Sequence, residues 1–245
     1  SSGRALADAL RTDLKRIQAD GRCELIGGAA TAVRATDERA ELVLDDGRVI
    51  TAGTVVAATG VSAMAPADAA WLLAEADFAP PMLWRTPPAE LGDSPFVLGA
   101  DRPLGTWLRV HPNTATDLHV LCPPGDDYKT AEVTDDPRVQ LLQVARVEVT
   151  ALPADRGWVI AAEDRDGRVS AYTATSMMNN LGSRPAALQG LRQDEDGYCP
   201  PDVQHLRIRA AGDLRSARCQ RIVTAQGSGA EAVLAAYYRG RAGGS

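Results

Sequence analysis

Lysine is almost missing from this chain: of 26 basic residues only Lys15 and Lys129 are lysine, a bias of composition that carries no functional signal. No cluster or stripe of Lys and Arg stands out, and the formal net charge is -6. Nucleic-acid binding needs a basic footprint, so this absence argues against it. No apolar run is long enough to span a bilayer and no signal-peptide core is present, so no membrane association is expected and a cytoplasmic protein is. The four cysteines, Cys23, Cys122, Cys199 and Cys219, have no CxxC spacing. That argues against a structural zinc site and a disulfide framework. His111, His119 and His205 fall in no triad or metal spacing. The acidic turns Asp45-Asp46 and Asp164-Asp166 read as hairpin chemistry rather than metal sites.

What is present is a mixture of strand and helix signals in 245 residues, enough for one large domain or two modest ones. Arg4 to Ala19 has a helical period, with Leu6, Leu10, Leu14 and Ile17 on one face and Gly21 as a stop. Cys23 to Ile26 reads as a short strand. Ala32 to Ala35, Ala40 to Leu44 and Val49 to Ala52 read as a meander of half-exposed strands, with a turn at Asp45-Asp46-Gly47. Thr54 to Ala58 is a continuous apolar run, as in a strand buried on both faces, and it ends in Thr59-Gly60. The Ala/Pro-rich stretch from 61 to 95 predicts one short helix around Ala69 to Glu75. Strands follow at Phe96 to Leu98, Leu118 to Leu121, Arg146 to Thr150, Trp158 to Ala161 and Thr173 to Met178, with a helix starting near Thr106.

Near the end, Leu206 to Ala210 runs into Ala211-Gly212-Asp213, then Cys219-Gln220-Arg221-Ile222, then Gln226-Gly227-Ser228-Gly229 and a helical pattern from Ala230. A glycine at a strand end lets backbone approach a ligand, and a helix amino end favours negative charge. The stretch resembles the C-terminal flavin motif of the thioredoxin-reductase-like flavoproteins: a Gly-Asp, an Arg-Gln pair, and an Ala/Gly-rich helix expected to begin near Ser228. Ala58-Thr59-Gly60 lies in the order in which that family places a strand end against FAD. The resemblance implies FAD contacts at Thr59, Gly60, Gly212, Asp213, Gln220, Arg221 and Ile222. Cys219 stands where the family tends to carry the arginine of the pair.

The family opens with a strand, a GxGxxG turn and a helix that hold the FAD pyrophosphate. Here only Gly27-Gly28-Ala29-Ala30 could pose as that turn, and strand pattern rather than a helical period follows it. Three expectations follow: the unit was removed, another chain supplies it, or the protein does not hold FAD in the family's way. In the second half, the turn Gly99-Ala100-Asp101-Arg102-Pro103-Leu104-Gly105 puts Asp101 and Leu104 on the second and third fingerprint positions. Asp101 suits a helix cap there, and its bulk and charge oppose a pyrophosphate. Cys122-Pro123-Pro124-Gly125 supplies no ribose-binding acid. NAD(P) binding is therefore expected to be lost. The window for the family's redox CxxC, Met82-Leu83-Trp84-Arg85, has no cysteine.

The fold expected is α/β, with two three-layer (ββα) Rossmann-like dinucleotide-binding domains. The first is discontinuous and N-terminally incomplete, residues 1-64 plus 184-245; the second is an insertion, residues 65-183. The resemblance implies a divergent FAD-dependent oxidoreductase without a CxxC dithiol, acting on an unidentified small-molecule substrate or redox partner, with a homodimer allowed. The competing expectation is a non-catalytic scaffold or partner-binding subunit that keeps the fold. No catalytic residue and no metal site is assigned.

Overall fold

The structure, a computed structural model, describes residues 3-21, 23-153, 156-218 and 220-242. The chain divides into two units, residues 1-60 with 186-245, and residues 61-185.

Unit 1 begins with α1 (Gly3–Ala19), which stops at Gly21, whose φ of 67° is left-handed. The apolar stripe of α1 is not packed away: Leu10 and Ile17 are exposed. The strand expected at Cys23 to Ile26 does not form. Leu25 and Ile26 are exposed, and no strand pairs with this segment, so nothing satisfies a ladder there. The meander does form, as β1 (Ala30–Ala35), β2 (Ala40–Leu44) and β3 (Val49–Ala52), paired antiparallel in that order. β4 (Val55–Ala57) follows.

Unit 2 opens with β5 (Val61–Ala63). The helix expected around Ala69 to Glu75 is replaced by a strand, β6 (Leu72–Ala74). Alanine-rich sequence favours helix, but Leu72 is drawn into the core as β6 pairs parallel with β10 (Arg146–Ala151), and tertiary packing outweighs propensity. Between them lie β7 (Phe96–Leu98), α2 (Pro103–Val110), β8 (Leu118–Cys122) and β9 (Val139–Gln143). β11 (Trp158–Glu163), β12 (Val169–Ala174), β13 (Met177–Asn179) and β14 (Ser183–Pro185) complete the unit. β5 and β14 pair antiparallel and so belong to this unit.

Beside the β14-β5 pair, the described strands of the unit form two four-stranded sheets: β13-β7-β8-β9, parallel throughout, and β12-β11-β10-β6. The two-residue alternation of the strands divides the core between their faces. Phe96, Leu98, Leu121 and Met177 join Val147 and Ile160 of the meander; Val97, Val120 and Met178 join Leu104, Trp107 and Leu108 of α2. This is a three-layer unit of meander, parallel sheet and helix. α2 starts at Pro103, with its preset φ, earlier than the apolar pattern suggests, and ends at Val110.

The chain returns to unit 1 through β15 (Ile208–Ala210), parallel to β4, and ends in α3 (Ile222–Ala242). Val33, Ala57, Leu188, Ile208, Ala210 and Leu214 form its core, with Cys199. Both units are α/β with Rossmann-like elements. Among the described residues no helix is long and apolar enough to cross a membrane.

Candidate functional site

In open parallel sheets, ligands meet the carboxyl ends of the strands. β4 and β15 bring theirs side by side: Ala57 is in register with Ala210, and the Ala211 amide donates to the Ala57 carbonyl at 2.8 Å. Past these ends the chain turns at Gly60 and Gly212, with φ of 69° and 71°. Both angles are left-handed, which glycine adopts without strain. A Cβ at Gly212 would meet nothing within 4 Å, so the space over it is open to an approaching group. The Gly212 amide donates to Ser228 Oγ (2.8 Å), whose hydroxyl donates to the Ala225 carbonyl (2.9 Å). Leu214, fully buried, pins the turn, and its carbonyl accepts from the Cys199 amide at 2.9 Å.

A cleft of about 250 Å³ lies over this turn, lined by Gly212, Asp213, Ser216, Gln220, Thr224 and Ser228 among others. Gln220 is held in place: its Nε2 donates to the Ser216 carbonyl (3.2 Å), the Tyr198 hydroxyl (3.3 Å) and the Asp213 carbonyl (3.4 Å). Gly212, Asp213 and Gln220 are thus brought together. Thr59 and Gly60 lie at the neighbouring strand end, outside the cleft lining, and the Thr59 hydroxyl donates to the Ala186 carbonyl at 2.6 Å. Arg221 and Ile222 are exposed at the start of α3, also outside the lining; Arg221 Nη1 donates to the Gln220 carbonyl at 2.8 Å.

The helix does not begin near Ser228. It starts at Ile222, so Gln226-Gly227-Ser228-Gly229 lies inside it. Glycine is a poor helix residue, and the Gly-rich run reads as a boundary for that reason. A Cβ at Gly227 or Gly229 would meet nothing within 4 Å, so close packing within the chain does not require them. Cys219 lies outside the described residues.

The turn fits the ribityl and ring half of a flavin: an open glycine, an adjacent carboxylate that can accept from hydroxyls, and a helix amino end next to Gln220 and Arg221. Gly27-Gly28 does not fit the pyrophosphate half. Its surroundings are filled by the β2–β3 hairpin: Arg48 Nη2 donates to the Gly27 carbonyl at 2.5 Å, and the Ala29 amide donates to Asp45 Oδ1 at 3.1 Å.

The corresponding turn of unit 2 is filled. Gly99, with φ of 83°, is so close to the exit of β13 that a Cβ would lie 2.8 Å from the Asn180 carbonyl. Asn180, buried, donates through Nδ2 to the carbonyls of Gly99 (3.1 Å) and Asp101 (3.0 Å). Asp101 does not cap α2: the residue at the cap is Arg102, with no side-chain capping bond. The Asp101 carboxylate instead pairs with Lys129 at 3.1 Å, and Lys129 pairs with Asp126 at 2.8 Å. A lysine between two carboxylates outcompetes the modest gain of a cap. Asp126 Oδ2 accepts the Ala100 amide at 2.9 Å, the kind of donor a pyrophosphate would use. Burial pulls the Lys129 ammonium down, but Asp126 and Asp101 outweigh it and hold its pKa above the usual lysine value. Sequence reading missed Asp126; the acidic Gly125-Asp126-Asp127 after β8 was the available signal.

The Met82-to-Arg85 window ends in a 3₁₀ turn at Leu83–Arg85, with Leu83 buried and the Arg85 guanidinium 4.4 Å from the Trp84 ring centroid. Cys122 and Cys199 are buried. Burial, then the Asp126 and Asp127 charges, push the Cys122 thiol up to about 11, far from the thiolate form needed for exchange. His119 bonds Ser94 Oγ at 2.9 Å and stacks on Phe96, and His111 ends α2 against Trp107. Asp46 pairs with Arg48 at 2.7 Å, and Asp164 Oδ1 accepts the Asp166 and Arg168 amides at 2.9 Å, which is hairpin chemistry. Among the described residues no group of three or more His, Cys, Asp or Glu is placed to hold a metal.

No family model matches the sequence, and no curated protein is similar to it at the sequence level. Solved structures are similar in fold. Thioredoxin reductase from Lactococcus lactis (FR conformation) superposes with a TM-score of 0.66 at 16% identity, over 94% of this chain and 80% of its own. Thioredoxin reductase from T. acidophilum gives 0.62 at 16% identity, over the same shares. LpdA from Mycobacterium tuberculosis gives 0.61 at 19% identity, over 96% of this chain and 55% of its own. This chain has the fold of the thioredoxin reductases.

Proposed function

We propose that the protein is a divergent FAD-dependent oxidoreductase resembling thioredoxin reductase, in which unit 1 carries the ribityl-and-ring half of the flavin site and unit 2 no longer takes NAD(P)H. The observation that carries the first part is the Gly212 turn, open above its glycine, with Asp213 and a fixed Gln220 beside it. In this reading Asp213 would hold the group by accepting from its hydroxyls, and the first amides of α3, from Ile222 on, would favour negative charge on it. A bound flavin supplies two-electron chemistry at its ring. The pyrophosphate calls for a further strand, GxGxxG turn and helix, carried by the same polypeptide or by another chain. The second part rests on Asp126: a carboxylate seated on the Ala100 amide repels a pyrophosphate and occupies its donor.

Titration of the protein with riboflavin, FMN and FAD, followed by flavin fluorescence, tests the first part. The three ligands should bind within about tenfold of one another, because the shared half makes the contacts, and Asp213→Ala should weaken all three by about tenfold. FAD binding far tighter than riboflavin binding, unaffected by Asp213→Ala, would overturn the half-site. NADPH should give no heat in calorimetry, and Asp101→Gly should not change that, because Asp126 stays on the amide; low-micromolar binding by either protein would refute the second part.

A further inference from the structure

Unit 2 has a second cleft, of about 490 Å³, beside α2. Its floor is Trp107, buried and locked by an Nε1 bond to the Thr86 carbonyl at 2.9 Å. Trp84 and Val110 form its walls, and they are 53% and 64% exposed. Large apolar side chains exposed together around a concavity mark a place where something binds. The Arg85 guanidinium lies over the Trp84 ring, 4.4 Å from its centroid, which steadies a side chain otherwise free to turn.

The polar rim is one-signed. The Arg102 side chain is exposed there, and its guanidinium makes no hydrogen bond or ion pair among the described residues. Among the described residues no carboxylate lines the cleft. Asp101, next to Arg102 in the chain, is held by Lys129 at 3.1 Å and does not neutralise it. The Thr106 hydroxyl accepts from Arg109 Nη2 at 3.2 Å, which leaves its own hydrogen free to donate.

We propose that this cleft binds a small planar aromatic anion, with its ring against Trp84, Trp107 and Val110 and its carboxylate on Arg102 and Thr106. The exposed Trp84 indole, over a floor closed by the buried Trp107, supplies flat apolar surface, which selects a ring over a chain. An unpaired guanidinium supplies a planar fork that matches a carboxylate and selects an anion over a neutral ligand. In a chain of net charge -6, a cleft of purely basic rim is set apart from the general surface. The inference is independent of the flavin reading, because every residue in it belongs to unit 2.

The test is calorimetric titration of the intact protein with 2-naphthoate, with neutral 2-naphthamide as its isostere. Wild type should bind one 2-naphthoate, about tenfold tighter than the amide. Arg102→Gln should bring the two ligands to within about twofold, and Trp84→Ala should weaken both by about tenfold. Both side chains are exposed, so neither variant disturbs the core. Equal binding of acid and amide by wild type, unchanged preference in Arg102→Gln, unchanged affinity in Trp84→Ala, or no saturable binding at millimolar ligand would each overturn the assignment.

Discussion

The two units place a glycine turn at the same point, where a parallel strand ends and the chain turns towards a helix, and finish it differently. After β15, the first turn amide is met by a neutral hydroxyl, Ser228 Oγ, and open space remains above Gly212. After β7, the amide of Ala100 is met by the carboxylate of Asp126, balanced by Lys129, and Gly99 is pressed against the Asn180 carbonyl. A hydroxyl satisfies the backbone without adding charge, so the site stays receptive to an electron-rich ligand. A carboxylate satisfies it by imitating the ligand. One architecture therefore yields an open turn and a closed one through the acceptor placed on one amide.

The largest expected contrast is between the two glycines. Gly99→Ala must pay both for a left-handed φ and for a Cβ 2.8 Å from a backbone oxygen, so it should destabilise the protein by about 3 kcal/mol. Gly212→Ala meets only the backbone term, about 1 kcal/mol. Urea denaturation with the slope held common compares them. Equal losses would mean that the two turns are not differently packed.

The same contrast explains how much was legible in the sequence. The meanders and the Gly-Asp turn follow from alternation and from turn chemistry that acts over a few residues, and the sequence pattern carries both. Phe96 to Leu98 reads as a strand and is one, buried along its length; Thr54 to Ala58 reads as a strand buried on both faces, but β4 covers only Val55–Ala57, with Ala57 alone buried. What failed depended on distant residues. Leu72 becomes strand because β10 lies beside it, and Cys23 to Ile26 does not, because among the described residues no strand pairs with it. Gln226 to Gly229 looked like a helix start because glycine weakens helices, although the helix is already formed from Ile222. Asp101 carries the right chemistry for a cap and loses it to Lys129, 28 positions on, a pairing no local rule contains. In the open turn, Gly212, Asp213 and Gln220 are within eight residues of one another, and that cluster was readable.

Removing the two acceptors should sharpen the difference. Asp126→Ala leaves the Ala100 amide without its partner in a closed turn and takes one carboxylate from a lysine whose side chain is only 16% exposed. The expected loss is about 2 kcal/mol. Ser228→Ala frees the Gly212 amide into a cleft that water can enter, so about 1 kcal/mol or less is expected. Hydrogen exchange of the two amides reads the same comparison locally: in wild type Ala100 should be the slower. Faster exchange at Ala100 than at Gly212 would contradict the closed turn.

Alkaline pH should separate the units by a smaller amount. Cys122 has its pKa raised from 9.0 to about 11 by burial and by the Asp126 and Asp127 charges. A raised folded-state value means stability that is complete below the unfolded value and lost as pH climbs through the folded one. Lys129, also raised despite its burial because Asp126 and Asp101 hold its proton, acts in the same sense at higher pH, from about its ordinary lysine value upward. Cys199 in unit 1 is raised by burial and by Asp194, so that unit loses stability in the same direction. Only in unit 2 does the acidic group that closes the turn add to the shift. Between pH 8 and pH 10 the Cys122 contribution amounts to about 1 kcal/mol, the unfolded thiol ionising while the folded one does not. Cys122→Ala should flatten the pH profile of unit 2 over that interval, and Asp126→Ala should flatten it in part, because it lowers the folded-state value of the thiol. Stability curves of the three proteins at pH 8, 9 and 10 decide it: parallel curves would show that the charge on the turn does not reach Cys122.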